Sequence, residues 1–336
     1  MKDVLQKLSS QSLSSEETFL VFESFLANDT QKVSDEDIRA CLRASAERLP
    51  TAAELVGAAR SLRLHMTRVE YDSPQLIDTC GTGGSGLSSF NASTASAIIS
   101  AASGLQVAKH GNRSISSRCG SADILEALHI PIAHSPESAK NALAKTGFAF
   151  LFAPLFHPAT KRVQLIRKEL GIRTIFNFLG PLCNPAGVRN QLLGVSDKRL
   201  VPSIAEALLA LGAERAIIAC GHDGLDEVTL SGKTFVAELK DGRVEHYEVE
   251  PEDFGCRSAA LAEFSGAEPQ QAAILVQEMF AGKVDARSAF VAINAGAALY
   301  IGKAVSSWKE GVTAAKEILS SGKAEQALQK IIRFHG

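Results

Sequence analysis

Hydrophobic positions in the first seventy residues recur at helical spacing, each set behind a hydroxyl-led start. Ser14, Ser15, Glu16 and Glu17 precede Phe19, Phe22 and Leu26; Ser34 to Asp37 precede Ile38, Cys41 and Leu42; Thr51 to Glu54 precede Leu55, Ala59 and Leu62. A hydroxyl followed three residues later by an acid is a reciprocal cap: each side chain bonds the other residue's amide. The pattern predicts three helices, each with one apolar stripe, packed on one another or on a partner chain.

From Gln75 the rhythm changes. Short apolar runs alternate with capped helical segments: Leu76-Ile77, then Ser93 to Ser103; Leu105 to Ala108, then Ser121 to Leu128; Phe148 to Phe152 after a helix opened by Ser135-Pro136 and closed by Gly147. Leu192 to Val195, a helix through Leu211, and Ala216 to Ala219 continue the series. Strand–helix alternation predicts a mainly parallel sheet with helices on both faces. Thr234 to Leu239 and Val244 to Val249, joined by Asp241-Gly242, predict one antiparallel hairpin. The last eighty residues read as helical. The expected fold is therefore α/β: a small all-helical domain over 1–70 and a larger domain over 71–336 with a mainly parallel sheet flanked by helices.

Composition narrows the class. The chain has 336 residues, 46% hydrophobic and 21% charged, with a net charge of -2. That supplies a large core for two domains and no general field for nucleic acid or anionic membrane. The cysteines at 41, 80, 119, 183, 220 and 256 form no CxxC pair and read as reduced thiols. The start carries no apolar run like that of a leader, and stretches such as Phe148 to Phe156 are too short to span a bilayer. The cytoplasm is the expected compartment.

Chemistry concentrates in loops after the predicted strands. Asp78 to Gly86 holds four glycines in six positions and runs into Asn91, Ser93 and Thr94, which open a helix. Such a backbone turns its amides inward on an anion, and the helix start offers a second anion site. Gly81 to Gly86 matches the dinucleotide fingerprint literally, but that fingerprint needs an acid near the end of the next strand, and Lys109-His110 stand there. The loop from Lys109 to Ser121 brings three cations, two glycines and several hydroxyls to a neighbouring strand end; Arg118 alone reads as a solvated arginine. Two such loops fit a ligand with two separated phosphates. Adjacent Asp226 and Glu227 suit Mg²⁺, and equally suit an acid-decorated turn. The helix after His157-Pro158 carries Lys161, Arg162, Arg167 and Lys168, mostly as a solvated face, and Asn177 with the Gly-Pro turns reads as a packed hinge.

Taken in order, GTGGSG, NAST, KHGNR, GSAD, RKELGIRTIFNFLGPLCNP and GLDE resemble the anthranilate phosphoribosyltransferase family over about Leu76 to Glu227. The resemblance implies a helical domain, joined by a segment near 155–185, hinged to the α/β domain, and a homodimer through the helical domains. It implies transfer of phosphoribose from phosphoribosyl pyrophosphate (PRPP) to anthranilate, with Mg²⁺ as cofactor and no nucleic acid or membrane as partner. Carried onto this chain, it assigns PRPP to Gly81, Gly84, Ser85, Ser89, Asn91, Ser93, Thr94, Lys109, His110, Gly111, Asn112, Arg113, Ser116, Ser117 and Ser121. It assigns anthranilate to Gly81, Asn112 and Arg167, and Mg²⁺ to Ser93, Asp226 and Glu227. No residue is an obvious general base; His110 stands as a late proton acceptor.

The chain departs from the family at Ser85 (usually Asp), Thr160 (usually Met), Cys183 (usually Thr), His129 (commonly Gly) and Glu47 to Pro50. These leave room for a paralogue with another aromatic acceptor. A pyrimidine nucleoside phosphorylase shares the fold but reads differently at its phosphate loop. A silent nucleic-acid-binding homologue would need eroded loops and a basic surface.

Overall fold

The computed structural model describes residues 7, 11–27, 33–114 and 118–335. All three leading helices form behind their caps: α1 Ser15–Leu26, α2 Asp35–Ala46 and α3 Ala52–His65. In α1 the Glu17 amide donates to Ser14 Oγ (3.2 Å) and the Ser14 amide to Glu17 Oε2 (2.8 Å). Glu54, the capping acid of α3, is buried and also accepts from the Leu13 amide (3.0 Å) and Arg48 Nη1 (2.8 Å). One carboxylate thus fixes both a helix start and the approach to α1.

Seven strands follow: β1 Leu76–Gly81, β2 Gln106–Gly111, β3 Phe148–Phe152, β4 Asn190–Gly194, β5 Arg215–Gly221, β6 Thr234–Lys240 and β7 Arg243–Val249. Their order is β3-β2-β1-β4-β5-β6-β7, with the first five parallel and β6 and β7 antiparallel. Asp241 and Gly242 take φ of 51° and 72°, the left-handed pair that matches hairpin twist. The chain runs outward from β1 to β2 and β3, then returns to the other side of β1 as β4. That reversal opens a crevice beyond the carboxyl ends of β1 and β4, where ligands of such sheets bind.

Besides two single-turn helices at Ala153–Phe156 and Phe176–Leu179, the remaining α-helices are α4 Ala92–Ala102, α5 Ser121–Ala127, α6 Pro136–Thr146, α7 Lys161–Leu170, α8 Val201–Ala210, α9 Pro269–Phe280, α10 Ala286–Ile301, α11 Trp308–Ser320 and α12 Lys323–His335. Adjacent strand residues divide between two cores, as a period of two demands: Ile217 packs with α4 and α10, Ile218 with the helical start and α8. The core of α1–α3 is continuous with that second sheet face through Val163, Phe176, Leu179 and Leu193. Polar ties reinforce it. Arg63 of α3 donates to the Leu182 carbonyl (2.8 Å), and the amides of Thr67 and Val69 donate to the carbonyls of Phe156 (2.8 Å) and Pro185 (3.0 Å). Arg162, expected on a solvated face, instead pairs with Asp35 (2.7 Å) and joins α7 to α2.

Among the described residues no helix is long and apolar enough to cross a membrane. None of the six cysteines is in a disulfide.

Candidate active site at the carboxyl ends of the central strands

The glycine loop leaves β1 as a series of left-handed turns, with φ of 65°, 80° and 70° at Gly83, Gly84 and Gly86. Only glycine takes such values without strain. The loop is pinned from the far side of the sheet. The Gly83 amide donates to Asp226 Oδ2 (3.0 Å) and the Thr82 amide to the Gly194 carbonyl at the end of β4 (2.9 Å). A β-carbon on Gly81 would stand 2.9 Å from Asp226 Oδ2.

Beside it, Asn91 caps α4: its Oδ1 accepts from the Thr94 amide (3.1 Å) and from Ser93 Oγ (3.4 Å). The Ser93 amide donates to Glu227 Oε1 (3.2 Å). Lys109, 1% exposed on β2, reaches the Thr79 carbonyl and Ser93 Oγ, the latter at 3.2 Å. Burial alone would drive Lys109 towards neutrality, and the charges of Asp78 and Glu227 act against that. Burial raises Asp78 to about 6, opposed by Lys109 and by the bonds from Asn184 Nδ2 (2.8 Å) and the His110 amide (3.2 Å). Burial, then the neighbouring Asp226, raises Glu227 to about 8. So Ser93, Lys109, Asp226, Glu227 and the glycine loop meet in one place.

His110 lies one residue beyond Lys109, 5% exposed, with its ring 5.1 Å from that of His157. Its Nδ1 donates to the Gly180 carbonyl (2.9 Å), which leaves the Nε2 lone pair buried and unpartnered. Burial, with His157 adding to it, lowers His110 to about 3, so the ring is neutral and only weakly basic. The expected role as a late proton acceptor would fall to this unpartnered Nε2.

The described ends of the second loop are tied to α5. Asp123 Oδ2 accepts from the amides of Ser114 (3.0 Å) and Gly120 (2.9 Å), tying the loop's two ends. The Asn112 carbonyl accepts from the Ala122 amide (3.2 Å), and Gly111 packs against Phe150 and Ser121. Arg113, expected at PRPP, pairs with Glu126 and, at 3.2 Å, with Asp123. Ser116 and Ser117 lie outside the described residues. Ser89 pairs with Ser265 in an isolated bridge, and Ser85 Oγ accepts from the Leu87 amide (3.4 Å).

Arg167 is on α7. Its Nη2 donates to Asn177 Oδ1 (3.2 Å), its guanidinium stands 5.4 Å from the Phe176 ring, and its Nε is buried without a partner. Among the described residues no bond joins it directly to the glycine loop. Arg173, which sequence reasoning passed over, does reach that loop: it donates to the carbonyls of Gly83 (3.2 Å) and Gly84 (3.4 Å). Gly194 and Asn184 were passed over too, and Asp78 entered only as the start of the glycine segment. The only signal for them was their place inside the RTIFN, LCNP and strand-end segments.

The sequence profile of a glycosyl transferase family, a/b domain, matches residues 73–325. An anthranilate phosphoribosyltransferase of Desulfosudis oleivorans is 45% identical over 323 residues, 96% of this chain and 94% of that protein. This chain belongs to the anthranilate phosphoribosyltransferase family. The relative from Thermoanaerobacter sp. is 42% identical, covering 99% of this chain and 98% of its own. Among solved structures, the anthranilate phosphoribosyltransferase of Thermus thermophilus superposes with a TM-score of 0.91 at 38% identity, covering 99% of each chain. The anthranilate phosphoribosyltransferase of Saccharomyces cerevisiae, in complex with PRPP and Mg, gives 0.87 at 29% identity over 99% of this chain and 97% of that one. As a family member the chain is a glycosyltransferase-type enzyme.

Proposed function

We propose that this chain transfers the phosphoribosyl group of PRPP to the amine of anthranilate and releases pyrophosphate. The observation that carries the reading is the meeting of Gly83, Ser93 and Lys109 with Asp226 and Glu227 at one crevice. The yeast relative is described with PRPP and Mg, and separately with 4-fluoroanthranilate.

The residues fit a hard cation. Asp226 and Glu227, with the Ser93 hydroxyl beside Glu227, would supply a few oxygen ligands and leave the remaining positions to water and phosphate oxygens, as Mg²⁺ prefers. Bound there, Mg²⁺ neutralises charge on the departing pyrophosphate. Around it, the glycine-loop amides and the start of α4 bind phosphate, and Lys109 holds Ser93 in place. The ribose C–O bond breaks, its electron pair leaving with pyrophosphate, as the acceptor amine bonds to the same carbon, and the amine then passes its proton to solvent. That amine is neutral near pH 7, so positioning matters more than a strong base.

In this reading Arg167 pairs with the acceptor's carboxylate, and Asn112 and Gly81 line its edge. A helical domain over 1–70 joined by the 155–185 segment, a homodimer and a cytoplasmic site complete the proposal. Leu20 and Leu64, 59% and 64% exposed on α1 and α3, support pairing through those helices.

The test is anthranilate fluorescence. It should fall on mixing with enzyme, PRPP and Mg²⁺, and stay constant when PRPP is omitted. Stable fluorescence in the complete mixture, with PRPP consumed when another aromatic amine is supplied, would favour the paralogue.

A further inference from the structure

The carbonyls of Gly83 and Gly84 are both tied to one side chain. Arg173 donates Nη2 to Gly83 O (3.2 Å) and Nη1 to Gly84 O (3.4 Å), and both nitrogens also approach Ser196 Oγ (3.2 and 3.3 Å). Ser196 Oγ in turn donates to Gly83 O (3.2 Å). The guanidinium lies 5.2 Å from the Phe178 ring, which fixes its plane. Contact with the loop is close: a β-carbon on Gly84 would stand 2.9 Å from Arg173 Cζ. Behind Arg199, Arg173 helps hold the Asp197 carboxyl below the usual range, while its own hydrogen bonds among the described residues go to the loop carbonyls and Ser196.

A trans peptide points its N–H opposite its C=O. Holding the Gly83 carbonyl therefore sends the Gly84 amide to the other side of the loop, and holding the Gly84 carbonyl does the same for the Ser85 amide. Among the described residues neither amide has a protein acceptor. Paired amides left open in consecutive left-handed turns form an anion cradle.

We propose that Arg173 is a positioning residue for the diphosphate: its fork anchors two consecutive carbonyls and so presets the Gly84 and Ser85 amides for phosphate. The inference rests on the reading of this loop as the PRPP cradle. It explains why a planar fork stands here and not a point charge, since a lysine cannot span two carbonyls in fixed geometry. It also joins the two substrate sides. Next to Arg173, the Thr174 amide donates to Asn177 Oδ1 (2.9 Å), the same oxygen that receives Arg167.

The test compares wild type, Arg173→Met, Arg173→Lys and Ser196→Ala in the full chain, by steady-state kinetics for both substrates and by calorimetric titration with PRPP and Mg²⁺. Both Arg173 variants should raise the PRPP KM and Kd about tenfold, with the anthranilate KM within about twofold of wild type. Ser196→Ala should act in the same direction but less, and add little when combined with Arg173→Met. Native PRPP affinity in Arg173→Lys would show that charge alone suffices and overturn the proposal, as would equal rises in both KM values or none in either. Should an Arg173 variant fail to fold, Ser196→Ala decides alone, and an unchanged PRPP Kd in it counts against the fork. A wild-type chain that binds no PRPP overturns the functional reading itself, whereas wild-type binding unaffected by the substitutions overturns only this inference.

Discussion

Gly194 lies so close beneath Asp226 that a β-carbon on Gly194 would collide with the Asp226 carbonyl group. The end of β4 thus serves as the seat for the loop that carries both acidic residues. No side chain fits between them, and the loop's height above the sheet depends on that absence.

Gly194→Ala should therefore lift Asp226 and Glu227 while sparing the sheet, whose Gly81–Gly194 register needs no side chain. Misplacement by about an ångström costs about 100-fold in turnover. The expected result is that loss in kcat/KM, with a raised Mg²⁺ requirement and a native circular-dichroism spectrum. Normal activity at ordinary Mg²⁺ would contradict the seating argument.

Arg167→Ala should raise the anthranilate KM about 10- to 100-fold, the effect of removing a charge-assisted pair, and change the PRPP KM by less than about twofold. Arg167 is half-buried and its Nε is unpartnered, so it has a donor to spare for a carboxylate. Steady-state kinetics with each substrate varied in turn decides it; an unchanged acceptor KM makes Arg167 a structural tie to Asn177 alone.

His129 takes φ of 61° after α5, a left-handed position without the glycine that suits it. Its ring is exposed. His129→Gly should stabilise the fold by roughly 0.5–1 kcal/mol, the strain relieved less the extra freedom of the unfolded chain. Urea midpoints compare the two proteins, and a lower midpoint in the variant refutes the strain.

His157 is buried and neutral, its value lowered to about 4 by desolvation against a main-chain bond to Cys183. Below pH 6.5 the unfolded chain takes up a proton that the folded chain refuses. The contribution is full above pH 6.5 and is lost as pH falls to about 4, on the order of 3 kcal/mol in all. His110, lowered to about 3, works in the same direction, and Asp78, raised to about 6, and Glu227, raised to about 8, work the other way, so the total curve mixes all four. His157→Gln isolates the histidine: relative to the variant, wild type should lose stability between pH 7 and pH 4. Parallel stability curves for the two proteins would mean that His157 does not titrate on unfolding.

The local devices were legible in the sequence because each is settled within a few residues. The caps at Ser14, Ser34 and Thr51, the hairpin turn at Asp241-Gly242 and the close of α6 at Gly147 all stand where the pattern puts them. The glycine-rich turns of Gly81 to Gly86 and the helix start at Asn91 were legible for the same reason. Tertiary structure alone decided which distant groups meet there. Asp226 reaches Gly83 across 143 residues, Glu227 reaches Ser93 across 134, and Arg173 reaches Gly83 across 90. Those meetings follow from the chain's return from β3 to the far side of β1, which brings the ends of β4 and β5 against the glycine loop. Periodicity and caps report what a segment is, because backbone bonding in a helix or turn spans about four residues. They are silent on strand order, which is set by how whole segments bury their faces against one another.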